Sequence, residues 1–92
     1  MSKKDFSSNA IEKAKKALGK AIKDRRGERS LRNLADAVGL SPSNLTYIEQ
    51  GKNAPTAEVY EKLIAELHPS PKQQAKMDQQ YMLIRQVPGA GP

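Results

Sequence analysis

The segment from Ser30 to Gly51, SLRNLADAVGLSPSNLTYIEQG, constrains folding more than any other part of this 92-residue chain. Leu31, Leu34, Ala35 and Val38 recur at three- and four-residue spacing, one face of a short amphipathic helix for which Ser30 is the N-cap. Gly39 lies just past the last periodic residue. It can take the left-handed backbone conformation that ends helices, at little steric cost. After Leu40, Ser41 and Pro42 form an N-cap and first-turn pair, because proline pre-sets the helical φ where its missing N–H would have had no partner. The second helix therefore starts within a few residues of the end of the first. So short a connection makes the two helices cross steeply and share a core through Val38, Leu40, Leu45 and Ile48.

Placed at 100° per residue, the second helix sorts its side chains by face. Leu45 and Ile48 project to one side; Ser43, Tyr47 and Gln50 project to the other, with Thr46 flanking. The outer face is polar and uncharged. Such a face suits base edges in a major groove, where a hydroxyl donates or accepts and a methyl or ring packs on thymine. Taken alone it reads more readily as a solvated surface. The spacing of the whole unit tips the balance toward recognition.

The stretch SLRNLADAVGLSPSNLTYIEQGKNAPT resembles the phage repressor and Cro family, also called the xenobiotic-response-element type. The shared pattern is small-x-x-x-Leu-Ala-x-x-x-Gly-Leu-Ser-x-x-x-Leu-x-x-Ile-Glu-x-Gly, and with the flanking helices the likeness covers about residues 14–68. It implies an all-α fold, a compact five-helix bundle of the lambda-repressor-like DNA-binding type. Carried over by position, Pro42, Ser43, Thr46 and Tyr47 fall where the family reads bases, and Asn44 where it touches phosphate or base. The backbone of Gly51, Lys52 and Asn53 falls where the family grips a phosphate after the recognition helix. Arg26 falls where the family's first helix carries an arginine, which would pair with Glu49 in a partly buried ion pair; Arg25 is a rival partner. Leu31 departs from the pattern, since a glutamine often stands there to contact phosphate. Arg32 or Ser30 would take over that contact.

Ninety-two residues suffice for one modest core. With no cysteine, neither a disulfide framework nor a thiolate metal site can form. No stretch approaches the roughly eighteen apolar residues of a membrane span, and the N-terminus lacks a signal-peptide core. A cytoplasmic, nucleoid-associated protein is expected. The net charge of +6 points to a polyanionic partner. Its distribution is uneven: residues 1–29 hold ten Lys or Arg against four acids, residues 30–68 three against five, and residues 69–92 three against one. The helix pair is slightly acidic, so attraction must come from its flanks. Lys13, Lys16, Lys20 and Lys23 form a stripe opposite Ile11, Ala14, Leu18 and Ala21, as expected of a solvated face. It still contributes to long-range steering.

The expected organisation is a flexible basic tail over 1–9, holding Lys3 and Lys4, the DNA-binding domain over 10–68, a C-terminal helix over 69–87, and a disordered end over 88–92. Thr56 caps a helix whose Val59, Tyr60, Leu63, Ile64 and Leu67 close the core. Ser70-Pro71 restarts the cap-and-proline signal for the last helix. Its apolar residues lie on more than one side, Met77, Tyr81 and Ile84 on one and Met82 and Leu83 on others. Met77, Tyr81, Met82 and Ile84 are the candidate contact of a homodimer, the alternative being packing on their own domain. The lone His68 has no second histidine, cysteine or glycine-rich phosphate loop beside it, so neither catalysis nor a cofactor or metal is expected. Two functions remain: a homodimeric repressor reading a palindromic operator in double-stranded DNA, or an antitoxin or transcription adaptor that binds a protein partner and uses the helix pair as scaffold.

Overall fold

The computed structural model describes residues 3–85, which form five helices and no strand: α1 (Lys3–Arg26), α2 (Leu31–Ala37), α3 (Pro42–Glu49), α4 (Ala57–Leu67) and α5 (Pro71–Arg85). This is the expected all-α five-helix bundle. None of these helices is long and apolar enough to cross a membrane.

Local chemistry sets the boundaries of the central helices. Ser30, Ser41 and Thr56 each sit in extended conformation and accept, through the side-chain oxygen, the N–H three residues on. Each cap is worth about 1 kcal/mol. Both helices of the pair then end in the same way. At α2, the Gly39 N–H bonds the Asp36 carbonyl at 3.2 Å and the Leu40 N–H bonds Ala35 at 2.8 Å. At α3, the Gly51 N–H bonds Ile48 at 3.1 Å and the Lys52 N–H bonds Tyr47 at 2.9 Å. This double bond pattern requires a left-handed residue, supplied by Gly39 at φ +76° and Gly51 at φ +78°.

Helix α1 is the spine. Its Ala14, Leu18 and Ile22 enter a core shared with Leu34, Ala35 and Val38 of α2, Leu45 and Ile48 of α3, and Tyr60, Leu63 and Leu67 of α4. α1 also reaches further back than expected. The segment expected as a tail over 1–9 is helical from Lys3, because no glycine or proline precedes Gly19 to stop the helix. The expected loose end at 88–92 lies outside the described residues.

The last helix requires a correction. Met77 and Ile84 are buried in the chain's own core, and Tyr81 packs against that core. The Tyr81 ring stacks on Tyr60 at 4.2 Å between centroids, and its hydroxyl donates to the Pro55 carbonyl at 3.1 Å. The Tyr60 hydroxyl donates to Asp78 at 2.5 Å. Burial and that carboxylate push the Tyr60 phenol well above its ordinary range. Three of the four residues expected at a dimer contact therefore bind α5 to its own domain. Only Met82, 58% exposed, remains outside, next to Leu83 at 42%.

Candidate nucleic-acid interface

Helix α3 divides as its periodicity requires. Leu45 and Ile48 are buried, which turns Ser43, Asn44, Tyr47 and Gln50 outward, with Pro42 and Thr46 half-buried at the edges. Tyr47 is 43% exposed. The Lys52 ammonium lies 5.7 Å from the centroid of its ring, within cation–π range, so the phenol and the cation share one end of the face. This surface presents hydroxyls, amides and one aromatic ring on a helix fixed by its inner side.

The start of α2 adds exposed Ser30 and Arg32. The Ser30 hydroxyl oxygen caps the helix by accepting the Asn33 N–H at 3.0 Å. Arg32 forms no ion pair among the described residues, whereas nearby Arg29 is tied to Asn33 at 2.6 Å and to Glu66 at 2.8 Å. Arg32 therefore offers a guanidinium at the start of α2 that Arg29 does not.

Beyond α3 the structure departs from the expected phosphate grip. The N–H groups of Gly51 and Lys52 close the end of α3, and that of Asn53 also points at the Tyr47 carbonyl, at 3.4 Å. Gly51 is itself buried. The N–H groups of Gly51 and Lys52 thus complete the helix, because a helix that stops at a left-handed glycine uses the glycine's N–H and the next to satisfy its last carbonyls. The exposed side chains of Lys52 and Asn53 remain.

Two features fix α3 against α1. Arg26 holds Glu49 with both arms of its guanidinium, Nε to Oε2 at 2.7 Å and Nη2 to Oε1 at 3.1 Å, while Nη1 donates to the Arg29 carbonyl at 2.8 Å. The side chains are only 16% and 6% exposed. The bond to Glu49 raises the Arg26 pKa further, against the opposing effect of burial. Arg25, the rival, turns away and caps α4, donating to the carbonyls of Leu67 at 2.9 Å and His68 at 2.6 Å. The second feature was not singled out in the sequence. At Gly19 the backbones of α1 and α3 come so close that a Cβ would lie 2.6 Å from the Glu49 carbonyl oxygen and nearer still to that of Ile48. The available signal was a glycine in the middle of a helix, which costs about 1 kcal/mol relative to alanine and so needs a packing reason.

The helix-turn-helix domain family matches residues 17–70, more than half of the chain. No curated protein and no solved structure matches it.

Proposed function

The chain belongs to the helix-turn-helix domain family, and from that premise we propose that it is a sequence-specific DNA-binding transcriptional regulator, a repressor that places α3 in the major groove. The observation that carries this is the outward face of α3, where Ser43 and Tyr47 stand exposed on a helix whose opposite side is anchored by Leu45 and Ile48. A rigid helix with free hydrogen-bonding groups meets the geometric need of base readout. An uncharged face also discriminates between bases without holding phosphate indiscriminately. Affinity then comes from the basic remainder of a chain of net charge +6.

Alanine at Ser43 or Tyr47 is expected to weaken binding to the preferred duplex by about 1–3 kcal/mol for each hydrogen bond or ring contact to a base that it removes, and to change binding to a scrambled duplex little. Competition between the two duplexes measures this. Equal weakening on both would contradict base reading by α3.

Two copies on a palindrome would set their α3 helices about 34 Å apart. Met82 and Leu83 are the apolar residues of α5 left for such pairing, and they are too few to bury the ~1,200 Å² of a stable interface. Pairing would therefore be weak in solution and completed on DNA. Met82→Asp is expected to abolish cooperative filling of the two half-sites while leaving single half-site affinity unchanged, as read by gel-shift titration. Unaltered cooperativity would exclude this face.

A further inference from the structure

The N–H groups of Gly51 and Lys52 close the end of α3, which makes side chains the candidate holders of a phosphate near that end. We propose that Lys16 of α1 and Lys52 together grip the DNA backbone beside the C-terminal end of α3. This rests on the DNA-binding function proposed above and assigns a phosphate contact to a helix outside the helix pair.

The placement comes from the close approach of two backbones. A Cβ added at Gly51 would meet the Lys16 Cα and Cγ, each at 2.7 Å, so Lys16 and the root of its side chain run directly against the turn that ends α3. Lys52 is the next residue of that turn, and its ammonium lies 5.7 Å from the Tyr47 ring centroid. Both lysines are exposed.

The surrounding carboxylates are already engaged. Glu12, one turn before Lys16, is bonded to Lys15 at 3.1 Å, and Glu49 is held by Arg26. Among the described residues, neither Lys16 nor Lys52 has an ion-pair partner, whereas Lys20, the next lysine of the α1 stripe, is bonded to Asp24 at 2.9 Å. The four lysines of the stripe are all exposed but differ in their partners. Lys16 is the one against the α3 turn, where it adds a cation near Lys52 beside a segment that carries more acids than bases. The Lys52 ammonium beside Tyr47, with Lys16 rooted against the same turn, forms a surface suited to a polyphosphate strand.

The test is anisotropy titration of a labelled preferred duplex and a scrambled duplex at about 50 to 200 mM salt. Lys16→Gln and Lys52→Gln are each expected to lower the magnitude of the log affinity against log salt slope by about 0.9, equally on both duplexes. The ratio of the two affinities is expected to stay fixed, Lys16→Arg to keep the wild-type slope, and Lys72→Gln, on the α1–α5 groove, to keep it too. A steep wild-type slope that Lys16→Gln leaves unchanged would overturn the grip alone. An equal drop for Lys72→Gln would also overturn it, since the effect would then be general charge. A flat wild-type slope would overturn the DNA-binding function and the grip with it.

Discussion

Alanine at Gly19 is expected to destabilise the protein by about 2 kcal/mol and to lower its melting temperature by about 8–16 °C. At an open helical position the same change stabilises by about 1 kcal/mol, because alanine is the better helix former. Here the new methyl would meet backbone, with the Glu49 carbonyl oxygen at 2.6 Å and the Ile48 carbonyl closer. Backbone cannot swing aside as a side chain can, so α1 and α3 must separate. Overpacking of this kind costs about 3 kcal/mol, which outweighs the gain in propensity. The sign of the change is the test: a higher melting temperature in calorimetry would mean that the two helices do not touch at Gly19.

Removing Glu49 is expected to be more damaging still. Glu49→Ala leaves the Arg26 guanidinium largely buried with only the Arg29 carbonyl as partner, and breaking such a pair costs about 3 kcal/mol or more. Against a total stability of roughly 5–15 kcal/mol, that loss is large. Replacing both partners, Arg26→Met with Glu49→Leu, is expected to restore most of it, because no charge is then left without compensation. Urea unfolding of the three proteins distinguishes the cases. A single variant no less stable than the double variant would show that the pair is solvated and does not anchor α3. The exposed pair Lys20–Asp24 should matter little by comparison.

Much of this fold was legible from local signals. Ser30, Gly39, Ser41 and Pro42 each act within a few residues of their own position, so both limits of α2 and the start of α3 follow from them without tertiary knowledge. The partition of α3 into an inner Leu45–Ile48 side and an outer Ser43–Tyr47 side follows equally from periodicity. The pairing of Arg26 with Glu49 was implied by resemblance, but the choice over Arg25 was settled only when the carbonyls of Leu67 and His68 proved to be Arg25's partners.

What stayed hidden depends on contacts distant in sequence. Spacing puts Met77, Tyr81 and Ile84 on one side of α5 but does not say whether that side meets the chain's own core or a second copy; the structure buries Met77 and Ile84 and leaves Met82 and Leu83 outside. The stack of Tyr81 on Tyr60 joins two helices whose relative placement no local pattern encodes. One local signal was left unused. Gly51 carries the same helix-stop signal as Gly39, and a glycine that ends a helix uses the N–H groups after it. The N–H groups of Gly51 and Lys52, which the resemblance implied would face a phosphate, are used in this way.

The role proposed for the outward face of α3 is to read base sequence in duplex DNA. Selection of the full chain on a pool of randomised duplexes tests it most directly. Expected is enrichment of a short motif, repeated as an inverted pair about one helical turn apart, and disappearance of that enrichment when Ser43 and Tyr47 are both alanine. A pool that stays random after repeated rounds with folded wild-type protein would contradict it, and would leave the helix pair as a scaffold for a protein partner.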